Sequence, residues 1–173
     1  STLGTAIGAK AAPDGYTLGM PGSGSMAVGP AMYKSLPYDP TKDFAPMALI
    51  GRVPFVLIVH PSVSAKTVPE LIAYAKTNKL FYASGGAGSP HHLYAELFKN
   101  MTGIEMTHVP YRGAAPAVTD VATGAVTMSF TSLAAALPLM QAGKIKAVAV
   151  TSREQMPQLP DVAPFRVSRG TSC

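Results

Sequence analysis

With 173 residues, of which 47% are apolar and only 13% charged, the chain holds enough sequence for one domain and part of another, and it is too apolar for disorder or a solvated coiled coil. No apolar run reaches the ~18 residues of a membrane span, and the net charge of +5 comes from scattered basic residues, without the basic cluster or interleaved aromatics of nucleic-acid recognition. The one cysteine, Cys173, is the last residue, which excludes an intrachain disulfide and a cysteine metal site.

In chain order, residues 1–44 hold one strand candidate, residues 16–20, followed by a Gly/Ser stretch over 21–29 and a loop punctuated by Pro37, Pro40 and Asp43. One strand cannot form a sheet, so its neighbours are expected from further chain or another subunit. From about Arg52, short β-branched runs alternate with amphipathic helical patterns, the signature of βαβ units in a mostly parallel sheet. Strands are predicted over 55–59, 80–84, 105–109, 126–130 and 144–150. Between them, a capping box of Thr67 and Glu70 opens a helix running to about Thr77. A second helix starts at Ser89, has Leu93, Leu97 and Met101 on one face and stops near Gly103. A third covers 114–122 and stops at Gly124. The fourth, 133–142, must start late or kink because of Pro138. Residues 153–173, with Pro157, Pro160 and Pro164, read as a linker. Without an initiator Met or a signal sequence, the first residue reads as a processed or truncated end.

The densest information lies in Tyr82-Ala83-Ser84-Gly85-Gly86-Ala87-Gly88-Ser89-Pro90-His91-His92-Leu93, where a strand turns through glycines into a helix. Ser89 suits the N-cap and Pro90 the first helical position. Gly85, Gly86 and Gly88 remove Cβ atoms that would keep a ligand from the backbone, and the first-turn N–H groups carry the positive end of the helix dipole. A carboxylate or phosphate fits there. A tight turn whose glycines serve only packing is the competing reading. No Lys follows Gly88, so the loop is not a P-loop. The loops after Ser84, Val109 and Phe130 should gather at one sheet edge, where such folds bind ligands.

His91 and His92 are adjacent on a helix and point about 100° apart, which argues against one shared metal. No Gly-x-Ser-x-Gly elbow stands in a strand-turn-helix context, and Ser23 in Pro21-Gly22-Ser23-Gly24-Ser25 only imitates part of one. With no convergent acid, base and nucleophile, the chain does not read as an enzyme, and no cofactor or metal is implied.

Five linked signatures resemble the periplasmic solute-binding receptors of tripartite tricarboxylate transporters, the Bug receptors. They are Ala12-Pro13-Asp14-Gly15-Tyr16-Thr17-Leu18; Leu36-Pro37-Tyr38-Asp39-Pro40 with Asp43-Phe44; the glycine loop with Glu96-Leu97-Phe98; His108-Val109-Pro110-Tyr111; and Ala142-Gly143-Lys144 leading to Ala147-Val148-Ala149-Val150-Thr151-Ser152. The resemblance spans about residues 4–163. It implies an α/β, doubly wound, mostly parallel sheet forming one lobe of a type II periplasmic-binding-protein (Venus flytrap) fold, plus part of the other lobe. By that comparison residues 1–44 end the first lobe, 45–152 form the second, and 153–173 are a returning linker with an atypical tail from Phe165 onward.

The implied function is capture of a small carboxylate in the periplasm and its delivery to the membrane subunits of the transporter, by a truncated chain. Candidate ligand-binding residues are Ser84, Gly86, Gly88, Ser89, Tyr111 and Thr131, with Ser23 and Ser25 from the first lobe. Tyr111 either hydrogen-bonds a carboxylate or packs between lobes, and Arg112 reads as solvated. Many members of the family carry Asp at the position of Thr131, where it meets a ligand amino group; a neutral hydroxyl here implies a carboxylate without a cationic amine. The alternative is a non-binding lobe that forms a homo-oligomer through its unpaired first-lobe strand.

Overall fold

The short apolar runs pair into one sheet whose central strands bury both faces under the helices. In the computed structural model, which describes residues 2–165, strands β1 (Phe55–Val59), β2 (Leu80–Ser84), β3 (Met106–Pro110), β4 (Met128–Ser132) and β5 (Lys146–Val150) lie in the order β3-β2-β4-β1-β5. Strand β2 runs parallel to β3 and β4, whereas β1 is antiparallel to β4 and β5. Four strands therefore share one direction and β1 opposes them.

Two expected strands begin two residues late because turns claim their first residues. The Val126 N–H is given to the Asp120 carbonyl, and the Lys144 N–H to the Leu139 carbonyl.

The helices keep their expected starts. In α3 (Val68–Ala75) the Thr67 hydroxyl accepts the Glu70 N–H, while the Glu70 carboxylate takes the Lys66 N–H. Helix α4 (Pro90–Thr102) is capped by Ser89 and ends at Gly103, whose φ of 68° is the left-handed stop a glycine permits. Helix α5 (Ala114–Thr123) ends at Gly124 in the same way. Helix α6 (Leu133–Gln141) starts on time and carries Pro138 inside, which leaves the Ala134 carbonyl without its intrahelical donor.

Helices α3 and α4 cover one face, where Leu71, Ala95 and Phe98 pack with Leu57, Tyr82, Met106 and Phe130. Helices α5 and α6 cover the other, where Ala117, Val121 and Ala136 meet Val56, Ile58 and Ala83. The sheet is thus doubly wound, and each fully buried Leu, Ile or Phe contributes about 1.5–3 kcal/mol. The buried face of α4 is Ala95 and Phe98; Leu97 and Met101 stay largely exposed. The aromatic pair Tyr94 and Phe98 packs on Phe130 and so turns the helix away from its leucines. Phe165 also packs edge-on against Phe98, and its N–H bonds the Val150 carbonyl. Residues 166–173 of the atypical tail lie outside the described residues. No helix among the described residues is long and apolar enough to cross a membrane.

The chain divides into two compact units, Ser1–Gly51 and the sheet unit from Arg52 onward. The first contains α1 (Thr2–Ala9), a single π-helical turn (Gly24–Val28) and the short α2 (Gly29–Met32). The strand expected over residues 16–20 does not form: Tyr16, Leu18 and Met20 are 92%, 72% and 82% exposed. A strand needs a neighbour to take its N–H and C=O groups, and among the described residues none lies beside this one. The Gly/Ser stretch, by contrast, is folded: the Ser25 hydroxyl donates to the Gly22 carbonyl, and the buried Tyr38 hydroxyl donates to the Ser25 carbonyl at 2.7 Å.

Candidate functional site

The glycine loop leaves the end of β2 and enters α4, as its composition requires. Gly86 and Gly88 have φ values of 111° and 74°, which side-chain-bearing residues rarely adopt. Gly85 is needed for closeness instead: a Cβ there would lie 3.4 Å from the Gly113 backbone and 3.4 Å from His91 Nδ1. The loops after β2 and β3 therefore touch, and the Tyr111 N–H fastens them by bonding the Ser84 carbonyl at 2.9 Å.

Ser84 and Ser89 shape the loop from below. The Ser84 side chain is fully buried; its hydroxyl accepts the Gly86 N–H at 3.1 Å and lies 2.6 Å from His108 Nε2. Ser89 Oγ donates to the Gly86 carbonyl at 2.6 Å and accepts the His92 N–H at 3.4 Å. Pro90 has no N–H, and that of Leu93 goes to the Ser89 carbonyl. Of the first-turn donors, this leaves the His91 N–H without an acceptor among the described bonds.

Two histidines at the helix start diverge. His91 packs edge-on against Phe55 at 5.1 Å, and its buried Nδ1 has no partner among the described residues. Burial holds its imidazole below the usual 6.5. His92 instead faces His108 at 4.4 Å between ring centres, and Tyr82 stacks on His108 at 4.9 Å. The Tyr82 hydroxyl donates to the Glu96 carboxylate, and burial together with that carboxylate holds its phenol well above the usual range. Sequence reasoning missed this cluster, although the four-residue spacing of His92 and Glu96 on one helix was a usable signal.

The other candidates lie apart. Tyr111 is committed: its hydroxyl donates to Asp120 Oδ2 at 2.5 Å, and burial plus that carboxylate push its phenol up to about 12. Arg112 is exposed and in no ion pair among the described residues. Thr131 pairs with Val56, so it stands on the α5/α6 face, across the sheet from Ser84. Its side chain is fully buried and its hydroxyl has no partner among the described residues. In the other unit Ser25 is buried and bonded, whereas the exposed Ser23 makes no capping bond. The sheet unit thus brings Ser84, Gly86, Gly88 and Ser89 into one loop, sets the Tyr111 backbone against it with the hydroxyl held by Asp120, and leaves Thr131 outside it.

The Ser84–His108 pair has the spacing of a nucleophile and base, but the buried hydroxyl is tied to Gly86 and no carboxylate bonds the other ring nitrogen. Among the described residues no group of three or more metal-ligating side chains occurs. Of the loop's amides, those of Gly86 and Gly88 are given to Ser84 Oγ and His92 Nδ1, and the His91 N–H is left unclaimed among the described bonds.

Residues 1–171 match the tripartite tricarboxylate transporter family receptor. BugT of Bordetella pertussis is 34% identical over 163 residues, which is 92% of this chain and 50% of that protein. Among solved structures, Rpa4515 of R. palustris with adipate superposes with a TM-score of 0.88 at 39% identity, covering 95% of this chain and 56% of that one. MatC of Rhodopseudomonas palustris with bound malate gives 0.83 at 31% identity, covering 94% and 56%. The chain spans about half the length of the curated relatives it matches.

Proposed function

Because the chain belongs to the receptor family of the tripartite tricarboxylate transporters, we propose that it is the ligand-holding part of a periplasmic receptor that captures a small carboxylate and passes it to membrane subunits. The observation that carries this reading is the glycine loop, with an unclaimed N–H at the start of a thirteen-residue helix. One ligand carboxylate sits on the free His91 N–H in the first turn of α4, while the N–H groups of Gly86 and Gly88, given to Ser84 Oγ and His92 Nδ1, hold the loop in shape together with Ser89. Residues 1–44 end a first lobe, and 45–152 make up the second. Adipate and malate in the two similar structures support a dicarboxylate. The glycine loop from Ser84 to His92 carries no acidic side chain that would meet an amine, which favours a ligand without one. Isothermal titration with adipate, malate and 2-aminoadipate tests this. Heat with the simple dicarboxylates and weaker binding of the amino analogue are expected; no heat with any of them overturns the receptor reading.

A second reading has its own observation. Besides Tyr16, Leu18 and Met20, the side chains of Met47, Leu49 and Ile50 are 74–80% exposed in the first unit, more apolar surface than a lone fold usually leaves open. Two copies could cover these segments by pairing them. Sedimentation velocity decides: a concentration-dependent dimer supports self-association, and a monomer at all concentrations refutes it.

A further inference from the structure

We propose that His108 is a positioning residue that couples the anion affinity of the glycine loop to pH, by exchanging donor and acceptor roles with Ser84. This rests on the reading of the loop as a carboxylate site. His108 sits on β3 directly beside Tyr82 in the parallel register. From its Nε2, hydrogen bonds run through Ser84 Oγ to Gly86, whose carbonyl also receives the Ser89 hydroxyl and N–H. The ring thus ends a continuous chain reaching the cap of α4.

The chain can be satisfied in two ways. With His108 neutral, the Ser84 hydroxyl donates to Nε2 while still accepting the Gly86 N–H. With His108 protonated, Nε2–H donates to Ser84 Oγ, and the serine proton turns to the Gly86 carbonyl, 3.3 Å away. Every donor keeps an acceptor in both states, the protonated one adding a third, longer bond to a Gly86 carbonyl that already takes the Ser89 hydroxyl and N–H, so the loop keeps its shape while a positive charge appears beneath it. A reversal of this kind needs a hydroxyl with both a donor and two acceptors in reach, and Ser84 has them.

The groups facing His108 set where the exchange occurs. From β2 these are Tyr82 and Ser84, and from α4 they are His92 and Glu96. The Lys99–Glu105 ion pair lies farther along, and Tyr111 with Asp120 belongs to the other face. Burial holds the His108 imidazole below its usual value, His92 adds to this, and Glu96 opposes it. The free protein at neutral pH is therefore uncharged at His108. A bound carboxylate favours the proton, and by linkage the proton favours the carboxylate.

Malate titrations at about pH 7.5 and about pH 6, where the ligand stays mainly ionised, test the coupling in the full chain and in His108→Gln. A single charge near the loop should tighten wild-type binding by about threefold on acidification, and the variant should lose that gain. An equal gain in His108→Gln overturns the proposal. The Gly86 amide resonance, followed through a pH titration without ligand, should shift with the midpoint of the His108 ring; different midpoints also overturn it. If neither protein binds malate at either pH, the receptor reading fails, and the amide titration still decides the coupling.

Discussion

Replacing Ser84 by alanine removes one oxygen and little volume, and it isolates what holds the glycine loop. The hydroxyl accepts the Gly86 N–H and bonds His108 Nε2, and the serine is fully buried. Two hydrogen bonds at about 1 kcal/mol each, plus the cost of leaving a partly buried N–H unpaired, give a loss of about 2–3 kcal/mol. For a unit of this size the urea dependence is about 1.5–2 kcal/mol per molar. The urea midpoint of Ser84→Ala, followed by far-UV circular dichroism, should therefore fall by about 1–2 M at an unchanged slope. A midpoint within about 0.2 M of wild type would refute the claim that Ser84 staples the loop.

Thr131→Val should go the other way, because it removes a buried hydroxyl that has no partner among the described residues; a gain of up to about 1 kcal/mol in the same assay is expected, and a loss above 1 kcal/mol would show that the hydroxyl is bonded. Phe98→Ala takes a 1%-exposed ring from between Phe130 and Phe165 and should cost about 3–5 kcal/mol; a cost below 1 kcal/mol would mean this aromatic cluster is not packed. Acid stability follows from His91. Its folded value lies below 6.5, so in that window the unfolded chain binds the extra proton, and stability is lost as the pH falls through 6.5 toward the folded value. Thermal melts from about pH 7.5 to about pH 5.5 should show this loss, and His91→Gln should show less of it; an identical loss in the variant removes His91 as the cause.

The strands of the sheet unit were legible because each is a short run of apolar, aromatic or β-branched residues between turn residues, and Thr67, Ser89, Gly103 and Gly124 announce helix ends by their own chemistry. Local signals failed where the answer depends on a distant partner. The stretch over residues 16–20 alternates like a strand, yet without a neighbour it stays unpaired and exposed. The apolar spacing of Leu93, Leu97 and Met101 suggested the buried face of α4, but Phe130 on β4 draws in Phe98 instead. Within the site, the loop could be read from Ser84, the glycines and Ser89 alone. The contacts of Ser84 with His108 and of Tyr111 with Asp120 could not, since they depend on which strand lies beside β2 and how α5 returns over the sheet.

The claim at the centre of this account is that the glycine loop and the free His91 amide at the start of α4 hold a ligand carboxylate. The direct measurement is the ¹H–¹⁵N spectrum of the full chain during addition of malate or adipate. Saturable shifts concentrated at the amides of Gly86, Gly88 and His91, absent or much weakened in Gly86→Ala, are the predicted result. Saturable shifts confined to other parts of the chain, with these three amides unmoved, would contradict it.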